Sequence, residues 1–450
     1  MKTLTVKLKQ HTPLIHFQHD QYGATLRASE VKPKLDRFLI EKSENGDFEE
    51  WKELFVGYSE KNEGVLREKF ENNNFKALDY KIIIEPNEKI ELNLNPREQW
   101  NQHKQKNMWV TDDFPLVLSN MGGKDTQEEL VGFSMYSTVK MKFVSKHEEL
   151  LEYISDWIDL FFAERNFGQR QDKGFGSFSV IEVDGKRKPY PKDDLSGTYY
   201  LKLVSNTIRQ NMDGFTQLFG TIDFYWKTLK SGINYTRNGN YPQRYIKSFL
   251  WKYLDNNNHT WEKRTVKQNF NLLTNREVNE NNNQASFARA LLGCPDKFEY
   301  KNFGRVVFVN HNNQTGQKKD LISRIPSPII FKPIYDEQTT VWRIYLIIND
   351  DPIVALCQRD DNLEFLFTCD NESMTMQIDP HAITLRELIK QYHDFLGKDV
   401  CDKAFQDEQQ RDMFLQNNEI DDDRIKWFIP LNFNWRNILQ NKWVEMYKIK

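Results

Sequence analysis

The stretch NFGQRQDKGFGS, residues 166–177, combines glycines and cations at a spacing that could hold a phosphate. Gly174 and Gly176 can take positive φ and let another backbone approach closely. Successive N–H groups in such a turn form an anion-binding nest. Arg170 and Lys173 add side chains that reach phosphate oxygens. The same spacing also suits a plain turn between a helix and a strand, with its charges solvated, and spacing alone leaves both readings open. There is no GxxxxGK[ST], which excludes a nucleotide P-loop.

Two further segments could carry anion chemistry. Lys32, Lys34 and Arg37 crowd the start of an expected helix, whose N-terminal dipole already favours anions. Residues 225–267 hold nine Lys or Arg against two acids, Asp255 and Glu262, a local net of +7. Aromatic rings are interleaved there, among them Tyr235, Tyr241, Tyr245, Trp251 and Trp261, and basic charge beside rings suits single strands of nucleic acid. Tyr245, Phe249 and Tyr253 stand at helical spacing and read as a buried stripe, so about half of the rings are expected in the core. Arg237, Arg244 and Lys247 are the phosphate candidates of this segment, and Lys318 and Lys319 are weaker ones. His11, His16 and His19 cluster after the first alternating segment and could move protons near neutral pH. The bland alternative for them is hydrogen bonding to backbone. No GxSxG, HExxH or other nucleophile signature is present.

These residues need elements to position them. Residues 3–8 alternate as a half-buried strand. A helix is expected from Ser29, with Val31, Leu35, Phe38 and Leu39 inward and Pro33 near its first turn. Residues 81–94 read as a hairpin around Pro86-Asn87, and residues 138–144 as a strand. Ser145 with Glu148 has the capping-box pattern, and the apolar spacing from Leu150 to Phe161 predicts a helix ending near Gly168. Residues 175–183 give the next strand. The charged segment 184–196 is a possible boundary, 215–254 reads as mainly helical, and the Asn-rich 255–284 as a long loop. Residues 341–348 read as a strand and Leu385–Leu396 as an amphipathic helix. The expected class is α+β, with a domain over 1–200 and another over 201–450.

Composition narrows the classes further. The chain has 450 residues, 28% of them charged, and a net charge of −3, so any nucleic-acid surface must be a local patch. Four scattered cysteines, at 294, 357, 369 and 401, form no zinc-type pair and suit a reducing cytoplasm. No signal-peptide core and no apolar run of membrane-spanning length is present. No cofactor is expected.

The loop at 166–177 resembles the glycine-rich signature of the RAMP superfamily of CRISPR-associated proteins. In that signature G-hydrophobic-G, a basic segment and G-aromatic-G follow the last helix of a ferredoxin-like fold. Here Asn166-Phe167-Gly168 stands at the first part and Gly174-Phe175-Gly176-Ser177 at the second; Asn166 and Asp172 depart from the pattern. TVKLKQHTPLIHF, with Thr12-Pro13-Leu14, is similar to the family's opening strand, and LRASEVKPKLDRFL to its first-helix element, where Ser29 precedes the basic residues. SFARALLG with Pro295, and then RIPSPIIFKP at 324–333, resemble a pattern of the first RAMP subunit of Cmr-type, or type III-B, effector complexes.

The resemblance implies two ferredoxin-like (RRM-like) RAMP modules with helical and loop insertions. It implies a subunit without an active site that sits near the 3′ end of the guide RNA and helps capture target RNA, with other effector subunits as partners. RNA contact then falls to Ser29, Lys32, Lys34, Arg37, Gly168, Arg170, Lys173, Gly174, Gly176, Arg237, Arg244 and Lys247. Because some RAMP proteins cut guide precursors, a metal-free endoribonuclease using His16 is the rival. Asp20 and Asp36 are formal candidates for a target-cutting acid, indistinguishable by spacing from ordinary surface acids.

Overall fold

The structure is a computed structural model that describes residues 1–15, 24–43, 45–72, 74, 77–92, 96–101, 105–111, 134–191, 195, 198–204, 212–235, 244–246, 248–270, 284–285, 287–294, 297–300, 306–310, 325–350, 353–354, 364–369, 372–396 and 445–448. The alternation at the start becomes strand β1 (Lys2–Gln10), which buries Leu4, Val6 and Leu8. Helix α1 (Ala28–Lys42) turns Val31, Leu35, Phe38 and Leu39 inward. Strand β2 (Tyr80–Pro86), strand β3 (Thr138–Ser145), helix α2 (Glu148–Glu164), strand β4 (Phe178–Val183) and the two-residue β5 (Lys186–Arg187) complete the first sheet. Its strand order is β2-β3-β1-β4-β5, antiparallel throughout. From β1 to β4 these elements run β-α-β-β-α-β, as in a split βαβ unit.

A period of two side chains per strand repeat sends Leu4, Val6 and Leu8 to the same face as Val139, Met141 and Phe143. That face is buried beneath α1 and α2, where Phe38 and Phe161 meet with ring centroids 5.4 Å apart. Helices and antiparallel strands make the chain an α+β protein.

The molecule divides into two compact units. The first comprises Met1–Phe219, Phe331–Leu346 and Lys448–Lys450, and the second Gly220–Ile330 and Ile347–Tyr447. The expected boundary near residue 200 is not where the units part, and the segment from Phe331 returns to the first unit. There β6 (Tyr199–Val204) pairs with β8 (Val341–Ile348), and β7 (Ile329–Asp336) lies at the edge beside β8. Pro333 suits such an edge, because it has no N–H for a further strand. Helix α3 (Met212–Trp226) sets Phe215 against Trp342 of β8. In the second unit, strands Lys297–Tyr300, Val306–Asn310, Glu364–Cys369 and Glu372–Gln377 form an antiparallel sheet, and helix Leu385–Leu396 packs Tyr392 against Tyr225 and Phe249.

Several expected local features differ. Among the described residues no hairpin forms around Pro86-Asn87: β2 pairs with β3, because the alternating Ile82 and Ile84 find Phe143 and Met141 as partners. Ser145 does not cap α2. It ends β3, donates its hydroxyl to Asp79 O at 2.7 Å and accepts from His147 N, while the cap position falls on His147. Pro33 lies inside α1 rather than in its first turn. The span 215–254 is interrupted by a hairpin, Ile233–Tyr235 with Arg244–Ile246, so Tyr245 is a strand residue and only Phe249 and Tyr253 share a helix. Among the described residues no helix is long and apolar enough to cross a membrane.

Candidate nucleic-acid interface

After α2 the backbone becomes extended at Arg165 and closes a loop on itself. Asn166 and Ser177 bridge, and Phe167 N donates to Gly176 O at 3.0 Å. The loop then packs on the segment that leaves β1. Gly176 N donates to Pro13 O at 2.8 Å and Gln169 N to Ile15 O at 2.8 Å. The Thr12 hydroxyl donates to Gly174 O at 2.7 Å and accepts from Ser177 N at 2.9 Å. Thus the "TPL" segment and the glycine loop, far apart in sequence, form one unit of structure.

This geometry corrects the nest expectation. The N–H of Gly168 donates to Glu30 Oε1, that of Gly174 to Gln171 O and that of Gly176 to Pro13 O. All three amide hydrogens already have protein acceptors, so none is left open for a phosphate. Gly174 to Ser177 are buried, and Phe175 stacks on Phe219 with ring centroids 3.9 Å apart. The glycines are needed for close approach instead: at Gly176, φ is +64° and a Cβ would fall on the Phe167 carbonyl oxygen.

Both ends of the loop meet a buried lysine amino group that sequence reasoning passed over. Lys332 Nζ donates to Arg165 O at 2.8 Å and to Phe178 O at 2.7 Å, and the residue is wholly buried. Burial holds its pKa well below the ordinary lysine value. Arg165 stands at the C-terminal end of α2, where carbonyls lack helix partners and a cation is favourable. The edge of β7 is satisfied from the same region. Asn166 Nδ2 donates to Phe331 O, the Ser177 hydroxyl donates to Pro333 O, and Tyr335 N donates to His11 Nδ1 at 3.1 Å. Asn166, a departure from the family pattern, is therefore a brace of the loop, since its amide also donates to Gln171 O at 2.7 Å. One sequence signal for Lys332 existed: a lone lysine inside the apolar run IIFKPI.

The cationic candidates separate into two groups. Lys32 is engaged inside the protein: it donates to Leu78 O at 2.6 Å, pairs with Asp36 at 3.2 Å and lies over the Tyr80 ring. Burial lowers its pKa, and burial also raises that of Asp36, which accepts from Leu78 N. Asp36 is thus a buried structural acid, not a surface one. Lys34 donates to Gln171 Oε1 at 3.0 Å, while Glu30 of the same helix pairs with Lys34 and accepts from Gly168 N. These ties set α1 against the loop. Ser29 and Arg37 are exposed on α1, Lys34 and Arg170 are half-buried, and Lys173 pairs with Asp172 at 3.3 Å. Arg170 itself takes φ +55°, which lets the loop continue between Gly168 and Gly174.

The second basic segment is less open than its composition implies. Tyr225, Phe249, Tyr253 and Trp261 are core residues. Lys227 pairs with Asp223 at 2.5 Å, Lys230 donates to Leu292 O and Gly293 O, and burial lowers the Lys263 pKa to about 8. Arg244 lies in the hairpin opposite Tyr235. Arg237, Lys247, Lys318, Lys319, His16, His19 and Asp20 lie outside the described residues. His11 is engaged on both ring nitrogens, with Ser179 Oγ at 2.8 Å on the second.

Residues 1–233 match the family model of the Cmr1 N-terminal domain, and residues 245–419 that of the Cmr1 C-terminal domain. No curated protein matches the sequence. Among solved structures, the crystal structure of Cmr1 from Pyrococcus furiosus in its apo form is similar at 11% identity, over 77% of this chain and 88% of that one, with a TM-score of 0.35. A chain in a cryo-EM structure of the Type III-B Cmr-beta bound to cognate target RNA and AMPPnP is similar at 11% identity, over 77% of this chain and 94% of that one, with a TM-score of 0.30. Superpositions this loose add nothing to the family match.

Two outcomes follow from the loop geometry. Gly176→Ala prevents folding, because its Cβ has no room, whereas Gly57→Ala, at φ +72° with nothing within 4 Å, costs only about 1 kcal/mol. Urea unfolding of both variants distinguishes conformational cost from collision, and equal stability would contradict the packing described. For Lys332, the folded state binds fewer protons than the unfolded state at pH values between its depressed pKa and the ordinary one, so stability rises with pH across that window. Urea unfolding at a series of pH values up to the ordinary lysine pKa is expected to show this rise in the wild type and its loss in Lys332→Met. Parallel profiles would refute the assignment.

Proposed function

The chain belongs to the Cmr1 family of CRISPR-associated RAMP proteins, and from that premise we propose that it is a non-catalytic RNA-binding subunit of a type III-B effector complex. In this reading it lies near the 3′ end of the guide RNA, helps capture target RNA, and contacts other subunits of the complex. Base pairing reads the sequence, while the protein holds backbone and shape. The second unit, which the match to the C-terminal domain covers in large part, is read as a second ferredoxin-like module.

One observation carries the RNA reading. The ties Lys34–Gln171 and Glu30–Gly168 join two basic segments that lie far apart in sequence. These ties set α1, which carries Lys34 and Arg37, beside the loop that carries Arg170 and Lys173, and Glu30 and Asp172 are the acids of this surface. Gly168, Gly174 and Gly176 serve this surface as the scaffold that fixes Arg170 and Lys173, and Ser29 supplies an exposed hydroxyl at its margin. Lys32 supports it from within by holding Asp36 and Leu78. His11 and Asp36 are engaged in internal hydrogen bonds.

Binding of labelled guide-type and target RNA tests this reading. Arg37→Ala, Arg170→Ala and Lys173→Ala combined are expected to weaken binding and to make the salt dependence shallower, by about 0.7 in log–log slope for each phosphate no longer neutralised. The RNA is expected to be recovered uncut. An unchanged slope would count against this surface, and specific cleavage would overturn the non-catalytic assignment.

A further inference from the structure

The face of the first sheet opposite α1 and α2 is a second cationic surface. Alternation places Thr3, Thr5, Lys7 and Lys9 of β1 on it, with Thr138, Lys140, Lys142 and Val144 of β3 and Lys81, Ile83 and Glu85 of β2. Lys7, Lys81, Lys140 and Lys142 are all exposed. The register arranges them obliquely. Lys81 stands opposite Val144, Lys142 lies two residues along β3 opposite Thr5, and Lys7 lies two residues beyond Thr5 opposite Lys140. Diagonal neighbours on a sheet are about 7–8 Å apart, so the line from Lys81 through Lys142 to Lys7 spans about 15 Å.

This arrangement is unfavourable for the chain alone, because Lys7 and Lys140 are like charges directly opposite each other. The acids beside the row are Glu85, opposite Lys140, Glu182, opposite Lys7 and Arg187, and Asp184, whose carboxylate accepts from Thr5 N at 2.7 Å. None of the four lysines forms an ion pair with a described residue, whereas Lys9 on the same face pairs with Glu337 at 2.9 Å. An anion is the complement of such a line.

The composition of the face selects the kind of anion. Protein interfaces are depleted in lysine and enriched in aromatic residues, Met and Arg at their centres. Here the central positions are Lys and Thr, and the apolar residues among them are Ile83 and Val144. None of these positions holds a ring on which a base could stack. Lysine instead meets phosphate as a flexible point charge. We propose that this face binds the phosphodiester backbone of an RNA strand without reading its sequence. The proposal rests on the RNA-binding reading above and adds a surface that reading does not include.

The test uses the full chain and a labelled single-stranded RNA of mixed sequence. Replacing Lys7→Gln, Lys140→Gln and Lys142→Gln together is expected to make the log–log salt slope shallower by about 2, at about 0.7 per phosphate. The loss is expected to be the same for an RNA of different sequence. Thermal unfolding is expected to be no lower than in the wild type, since exposed side chains are exchanged and a like-charge pair is relieved. If the wild type binds RNA and the variant keeps its slope, this proposal fails and the RNA-binding reading stands. If the wild type binds no RNA, both fail. If the slope is unchanged but assembly with partner subunits is lost, the face belongs to a protein and the proposal is overturned.

Discussion

A buried lysine amino group bonded to two backbone carbonyls is the interaction on which the candidate site depends. Burying an unpaired charge is costly unless its hydrogen bonds are met. Lys332 meets this condition by holding Arg165 O, at the end of α2, and Phe178 O, at the start of β4. It therefore fixes the two points between which the glycine loop must run. The strand that carries it presents an edge, and Asn166, Ser177 and His11 cover that edge with side-chain hydrogen bonds. An uncovered edge would invite pairing with another chain.

With its ends fixed, the loop cannot act as an open nest. Its glycines permit backbone to lie on backbone, and the amide hydrogens they free are met at once by Pro13, Gln171 and Glu30. The outer rim, which carries Arg170 and Lys173, is tied to α1 through Gln171 and Lys34. The division is physical: buried polar groups must be satisfied internally, and only exposed charge can be offered to a polyanion. Lys32 and Lys34 illustrate it on one helix. Lys32 is drawn inward by Asp36 and Leu78 O, while Lys34, two residues on, reaches the rim.

Much of the first unit was legible in the sequence because it rests on local periodicity. The alternation of Leu4, Val6 and Leu8 and the helical spacing from Leu150 to Phe161 each specify an element without help from elsewhere. The expectations that failed involve competing partners. Pro86-Asn87 has turn chemistry, but Ile82 and Ile84 pair with Phe143 and Met141 of β3. Ser145 has the cap spacing, but its hydroxyl is taken by Asp79 O. The rings of the second basic segment divide between core and hairpin according to packing that composition does not encode.

By itself the sequence determined the α+β class, the position of the glycine loop between helix and strand, and the motif order that marks the family, because these follow from the near-neighbour pattern of side chains. Tertiary structure alone decided which cations face solvent and which are consumed inside. That outcome depends on groups more than a hundred residues away: Lys332 on Arg165 and Phe178, Lys34 on Gln171, and Lys7 opposite Lys140. A lysine has the same charge wherever it stands in a sequence, and only the fold fixes whether that charge is met by a carbonyl, a carboxylate or water.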